Sequence, residues 1–306
     1  MNENITISVI IPLYNKAESV AATLESVLMQ TVEPLEVIVV DDGSTDGSAE
    51  RAEAFAARGV RVVRQANGGV SRARNRGAAE ARGSHLAFLD GDDLWSPNFI
   101  ESMVAAVEKN PECGLYAAAY RVVGADGRSG VRRAARSGVN DFFEEVKSGF
   151  VALPSASVAS RVAFESVGGF PAGMKLCEDS YLWIKIADRH SVCFVDEPLA
   201  TYRVGAENRS SKIYVAEQTE FSFDDLRGEG VSAREEFIAR CMIGKAITLC
   251  LKGDSEFARH TVATYSYTRL HRLSLWRLRI TRALPKWLRH PFNRLYDKLA
   301  WLTKRK

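Results

Sequence analysis

Short apolar runs alternate with segments of helical periodicity through the first part of the chain, and this alternation limits the fold more than any other feature. ISVIIPLYN, LEVIVV, VRVVRQ and HLAFLD are the runs, and most are too uniformly apolar for strands with one wet face. Between them AESVAATLESVLMQ, SAERAEAFAA and VSRARNRGAAEA space their apolar residues as helices do. Pro12 interrupts the first run, and Ser96 with Pro97 predicts the N-cap and first residue of a further helix, NFIESMVAAVEK. Buried strands alternating with helices imply an α/β fold with a mostly parallel sheet, whose ligands bind beyond the carboxyl ends of the strands. The loops that qualify are Pro12 to Asn15, Asp41 to Asp46 and Asp90 to Asp93, so the polar chemistry is expected at one rim.

The pattern changes near Tyr116. LYAAAYRVV reads as another strand, Gly124 to Asn140 as a polar insertion rich in Gly and Arg, and ESVGGFPAGM as a glycine-rich turn region. CEDSYLWIKIADR then reads as a helix, SVCFVDEPLATYRV as strand and loop, and the chain beyond Gly205 as helical. The expected organisation is an α/β domain over 1–205, in halves 1–115 and 116–205, followed by a helical, basic region over 206–306. No 18 uncharged apolar residues follow one another, and MNENITISVIIP has no basic leader, so neither secretion nor membrane spanning is expected. Five cysteines without a C-x-x-C pair suggest neither a disulfide framework nor a zinc knuckle, and a reducing cytosol suits them.

EVIVVDDGSTDGSAERAE, Glu36 to Glu53, is close to a calcium-loop pattern counted from Asp42. A calcium hand needs a helix before its loop, whereas EVIVV is β-branched and reads as a buried strand, so Asp41 and Asp42 are expected to end that strand. A dinucleotide fold is disfavoured too, because PLYNKAES after the first strand has no G-x-G-x-x-G.

Candidate site residues gather in the strand-end loops. Asp90, Asp92 and Asp93 in LDGDDLW follow a buried strand, and hard oxygen ligands spaced two apart suit Mg²⁺ or Mn²⁺ with a diphosphate completing the shell; a solvated acidic turn is the alternative. Tyr14 can stack on a base and Asp42 can accept a hydrogen bond from its ring N–H, or the two are a rim aromatic and a turn former. Asn67, Gly68 and Gly69 open a helix whose free N–H groups, with Arg74 and Asn75, can face an anion, although a run such as Arg72, Arg74 and Arg76 is more often a solvated face. Glu178 and Asp179 head a helix, where acids meet the dipole favourably, yet a carboxylate there can also act as general base toward a sugar hydroxyl. Cys177 beside them reads as structural.

In this order, SVIIPLYNKAESVAATLESVLMQT, EVIVVDDGSTDGS, QANGGVSRARNRG, LDGDDLW, GGF, CEDSYLWIK and YRV resemble the family 2 glycosyltransferases of GT-A fold. The likeness covers Ile5 to about Val204. It implies an inverting enzyme that moves a sugar from a nucleotide-sugar, expected to be a UDP-sugar, to a hydroxyl of a saccharide or lipid-linked glycan in cell-surface polysaccharide synthesis. By the family pattern Pro12 and Tyr14 border the base, Asp42 reads it, and Asn67, Arg74 and Asn75 line the donor cleft. Asp90 and Asp92 match the D-x-D pair, with Asp92 as the direct metal ligand and Asp90 toward ribose or sugar, and Asp179 matches the catalytic base.

One departure concerns the metal. Relatives often carry a histidine two residues after YR, where this chain has Gly205, and Arg203, Arg209 and Lys212 are the expected substitutes at the diphosphate. The C-terminal stretch from Arg269 to Lys306 holds twelve Lys/Arg against one acid, Asp297. A helix starting at Pro291 would put Phe292, Leu295, Tyr296, Leu299 and Leu302 on one face, with Arg294, Lys298 and Arg305 opposite and Trp301 on the basic side. Docking of residues 269–306 on an anionic membrane, with the enzyme cytoplasmic and peripheral on the inner face, competes with packing on the catalytic domain. No nucleic-acid partner is expected. The alternatives to a glycosyltransferase are a nucleotidyltransferase of related fold and a non-catalytic nucleotide- or membrane-binding module; PLYNKAES lacks the triphosphate loop of the first, and the acids that the second would have lost are all present.

Overall fold

β1 (Ile7–Leu13) is buried along its whole length, as a central strand with both faces covered must be. The computed structural model describes residues 5–147, 149–204 and 222–303, and for 299–303 the backbone alone. After β1 come α1 (Val20–Leu28), β2 (Glu36–Asp41), α2 (Ser48–Glu53), β3 (Val60–Arg64), α3 (Val70–Glu80), β4 (His85–Phe88), β5 (Leu94–Trp95) and α4 (Phe99–Lys109). The chain continues through β6 (Cys113–Val123), β7 (Ser129–Arg132), β8 (Gly138–Asn140), α5 (Phe142–Lys147), β9 (Ser157–Ser160), α6 (Arg161–Ser166), α7 (Glu178–Ala187) and β10 (Ser191–Arg203). Contacts along the chain divide it into two compact units, Met1–Arg209 and Ser210–Lys306.

In the first unit the described strands form one sheet of order β3-β2-β1-β4-β9-β6-β10-β5, with β7 paired to β6 and β8 to β10. The first four strands run parallel to one another. Beyond them the sheet is mixed: β9 is antiparallel to both β4 and β6, while β10 runs parallel to β6. Pro12 falls inside β1 because β4 pairs only as far as Ile10, so a missing N–H on that side breaks no ladder bond. α3 lies against β1 at Gly77, where a methyl group would come within 2.4 Å of Ile10 Cγ2. Gly77→Ala should therefore lower stability by about 1–3 kcal/mol through overpacking, read as an earlier urea midpoint at unchanged slope. A midpoint equal to that of the wild type would mean that α3 lifts off β1 at little cost.

Two expectations need correction. The helix after the D-x-D loop starts at Phe99, not at Ser96 and Pro97, because Leu94 and Trp95 pair with Thr201 and Ala200 of β10 and draw Ser96 into that pairing, its N–H donating to Leu199 O. SVCFVDEPLATYR is a single strand, β10, which absorbs Pro198 at register shifts between Val195 and Ala200. The Gly124 to Asn140 insertion carries two strands, β7 folding back on β6 after a turn at Gly124 to Arg128 and β8 pairing with the start of β10.

In the second unit α8 (Ala233–Leu251) is capped by Ser232, whose hydroxyl accepts from Glu235 N, and α9 (Ser255–Thr264) by Asp254, which accepts from Phe257 N. α10 (Arg272–Ala283) and α11 (Lys286–Thr303) follow. α11 begins five residues before Pro291 and contains it. Its packed face is polar: buried Arg289 donates to Cys250 O and to Ser255 Oγ, and buried Asn293 donates to Thr281 Oγ1. Of the expected apolar face, Phe292 and Tyr296 are half-buried and Leu295 is 57% exposed. The side chains of Leu299, Trp301 and Leu302 and residue Arg305 lie outside the described residues.

Candidate functional site

The loops after β1 and β2 are sewn together by their polar side chains. Asn15, in the left-handed region at φ 50°, donates its backbone N–H to Ser44 Oγ over 3.0 Å and accepts Thr45 N at its own Oδ1 over 2.8 Å. Lys16 N donates to Ser48 Oγ over 2.7 Å and Ala17 N to Asp46 Oδ2 over 3.0 Å. Asp42 and Glu53, the outer acids of the calcium-like pattern, go elsewhere: Glu53 pairs with Arg64, and Asp42 serves the next loop. A strand precedes the pattern, as expected from EVIVV.

Asp42 is buried just past β2, and its carboxylate accepts Gln65 Nε2 at 2.7 Å, Gly68 N at 2.8 Å and Gly69 N at 2.8 Å. The Gly68 and Gly69 N–H groups, expected to face an anion, are thus spent on Asp42. Oδ1 takes two of these bonds and Oδ2 one, so the lone-pair capacity left for a ligand is on Oδ2. Pro12 is buried one residue before the end of β1, Tyr14 stands half-buried beyond it, and Asn67 is exposed on the turn that Asp42 holds.

Arg74 on α3 joins two of the acidic loops. Its side chain is 3% exposed, with Nη2 2.7 Å from Asp90 Oδ1 and Nη1 3.0 Å from Glu178 Oε1. The guanidinium also lies over the Phe170 ring, 5.0 Å from its centroid. Burial works against the cation, but the charges of Asp90 and Glu178 more than offset it and hold the Arg74 pKa above its ordinary value. Asn75 turns away to the GGF segment, where its amide donates to Phe170 O and accepts Phe170 N.

Cys177, at φ 65°, turns the chain into α7 and sets Glu178 and Asp179 at the head of that helix. Asp179 Oδ1 accepts the N–H of Ser180. Burial pushes the Asp179 carboxyl up to about 7, and the neighbouring Glu178 charge adds to the rise. A carboxyl poised there suits proton abstraction near neutral pH.

The D-x-D loop is fastened from three directions. Asp92 Oδ2 lies 2.5 Å from Lys16 Nζ, and burial raises its carboxyl above the ordinary value while the lysine charge opposes the rise. Asp93 points inward and accepts Ser155 Oγ at 2.6 Å and Arg203 N at 3.1 Å, its carboxyl pushed well up by burial and by the charges of Asp90 and Asp92. Thr23 and Ser19 of the α1 region donate to the loop carbonyls of Asp93 and Gly91. Arg203, at the end of β10, donates through Nε to Asp92 O, and its Nη2 is buried with no partner among the described residues.

Among the described residues no three Asp, Glu, His or Cys side chains gather as a metal cage. A Mg²⁺ or Mn²⁺ ion held by one or two carboxylates and completed by phosphate oxygens needs no such cage, so Asp92 and Asp90 fit that donor set. The unpartnered Arg203 Nη2 beside them fits an anion such as a diphosphate. Lys16, Ser155 and the Arg74–Glu178 pair were not foreseen: PLYNKAES showed a lysine, but nothing in its spacing pointed to Asp92. Arg209 and Lys212 lie outside the described residues.

The chain spans about a third of the length of the curated relatives it matches. It is 40% identical over 116 residues to the uncharacterized glycosyltransferase EpsJ of Bacillus subtilis, covering 36% of this chain and 34% of that one. With an uncharacterized glycosyltransferase of Rickettsia felis it shares 32% identity over 211 residues, 65% of this chain and 33% of the relative. In fold it is similar to S. aureus TarS 1–349 in complex with UDP-GlcNAc, at TM-score 0.67 and 17% identity over 96% of this chain and 92% of that one. It is also similar to the mannosyltransferase PcManGT of Pyrobaculum calidifontis in complex with GDP-Man and Mn²⁺, at TM-score 0.59 and 20% identity over 99% and 86%. Both likenesses agree with the GT-A fold expected from the sequence. The model of glycosyl transferase family 2 matches residues 8–168, more than half of the chain and the whole of the strand-end loops from Pro12 to Asp93, and the chain belongs to that family.

Proposed function

We propose that the protein is an inverting glycosyltransferase that uses a nucleotide-sugar, a UDP-sugar by preference, and glycosylates a hydroxyl of a saccharide or lipid-linked glycan. The observation that carries this reading is the Arg74 bridge, which sets the D-x-D acid Asp90 and the Glu178–Asp179 pair around one buried cation at the strand-end rim. Pro12, Tyr14, Asp42 and Asn67 then belong to the nucleotide end of the site, and Asp179 to the acceptor end. Asp179 takes the proton from the acceptor hydroxyl as that oxygen bonds to the anomeric carbon. The bond from this carbon to the diphosphate oxygen breaks on the opposite face, and the diphosphate leaves with the electron pair. Arg203 meets the charge growing on the diphosphate. A divalent ion on Asp92, with Asp90 beside it, would add Lewis-acid stabilisation of several kcal/mol.

The UDP preference is supported by a TarS complex with UDP-GlcNAc, while PcManGT holds GDP-Man with Mn²⁺, so the base is the open choice to test. The described residues contain no helix long and apolar enough to cross a membrane. In α10 and α11 Leu273, Trp276, Trp287 and Leu295 are exposed among basic residues, which supports docking on an anionic inner leaflet with 269–306 as the contact.

Calorimetry with UDP tests the reading. Wild-type protein should bind UDP in the presence of Mn²⁺ and about tenfold or more weakly without it, and Asp92→Ala should remove that difference. Absence of UDP binding in either condition would reject the UDP assignment, and absence of GDP and dTDP binding as well would reject the nucleotide-sugar reading.

A further inference from the structure

The Lys16–Asp92 pair is drier than any surface ion pair needs to be: the two side chains are 12% and 14% exposed. Asp92 is the acid that the proposed function assigns to the metal. An ammonium already seated on that carboxylate and a divalent ion compete for the same oxygens. Lys16 is also held in a particular way. Its N–H is fixed to Ser48 Oγ, and its carbonyl accepts Ser19 N and Val20 N at the start of α1. The backbone cannot follow the side chain, so only the four-carbon stem is left to move. Arg203, the other cation on this loop, holds the backbone rather than the carboxylate of Asp92, through Nε to Asp92 O.

We propose, resting on the nucleotide-sugar reading above, that Lys16 is an exchangeable counter-ion: it neutralises Asp92 before the donor arrives, and yields the carboxylate to the divalent ion as its ammonium passes to the donor diphosphate. Neither ligand then binds well by itself. Metal alone must displace the lysine without offering it a new anion, and donor alone must draw the lysine away and leave Asp92 bare in a dry site. Each ligand removes the other's obstacle, and the coupling is reciprocal. Lys16 thereby makes the site respond to the donor–metal pair and keeps it from filling with metal alone.

The test compares wild type with Lys16→Met, which keeps the apolar stem, in mildly alkaline buffer so that Asp92 stays ionised without its lysine. Binding of MnCl₂ alone is read from the loss of the free-Mn²⁺ electron paramagnetic resonance signal, and binding of UDP with and without Mn²⁺ by calorimetry. Lys16→Met should bind Mn²⁺ alone about tenfold more tightly and UDP with Mn²⁺ about tenfold more weakly, so that most of the coupling disappears. Lys16→Gln replaces it if the Met variant lacks the wild-type circular dichroism spectrum. Wild-type UDP binding with unchanged Mn²⁺ affinity in the variant would overturn the counter-ion role and leave the nucleotide-sugar reading standing. A wild type that binds neither UDP, GDP nor dTDP would remove both.

Discussion

Replacement of Asp179 by Asn is expected to slow sugar transfer by at least about 10²-fold while donor binding stays within twofold or so, as the loss of a general base alone would do. The same group sets the pH profile. Asp179 holds its proton up to about 7 in the folded protein, so the rate should rise with pH through that region and level off above it. In the unfolded chain the carboxyl ionises near its ordinary 3.8, and the folded state therefore binds the extra proton in between. The sign follows: any stability the protonated group contributes is complete below the lower value and is lost as pH rises through about 7. Asn at this position carries no such charge, so the variant should melt no lower than the wild type at alkaline pH although it is slow. Normal turnover in Asp179→Asn would move the base elsewhere. Glu178 is poorly placed to inherit the task, since its carboxylate is engaged by Arg74.

Arg74→Met is expected to lower stability by about 3 kcal/mol, because it removes the cation from a buried cluster and leaves Asp90, Glu178 and Asp179 to face one another. Loss of the guanidinium over Phe170 adds a smaller share. Lysine cannot stand in, since one ammonium does not span Asp90 and Glu178 as the planar fork does. Urea unfolding measures the change, and a loss under about 1 kcal/mol would show that the acids relax by hydration and that the bridge is incidental. UDP binding should fall along with it, because Asp90 loses the partner that aims it.

The strand-end acids were legible because each follows an apolar run that can only be a buried strand. For Asp42, Asp90 and Asp92 that gives the position, while their roles rest on the family pattern. Their partners were not legible. Lys16 and Asp92 stand 76 positions apart, and Arg74 and Glu178 stand 104 apart, so nothing local ties either pair. The partner of Asn75 was hidden for the same reason: its amide serves a segment 95 residues away. The helix at Phe99 was started too early because Ser96 and Pro97 form a good local signal that strand pairing to β10 overrides. The start of α11 was not legible at Pro291 because the helix runs through that proline, and the buried Arg289 and Asn293 were not legible because their partners lie on other helices.

The stitched loops after β1 and β2 bear on how this protein can be recombined with its relatives. Asn15, Lys16 and Ala17 each depend on a residue between Ser44 and Ser48. A chimera whose crossover falls between these two loops would inherit one half of every such pair from each parent. Segments exchanged for new donor or acceptor preference should therefore carry both loops together, with crossovers placed after α2, where these pairings are already complete.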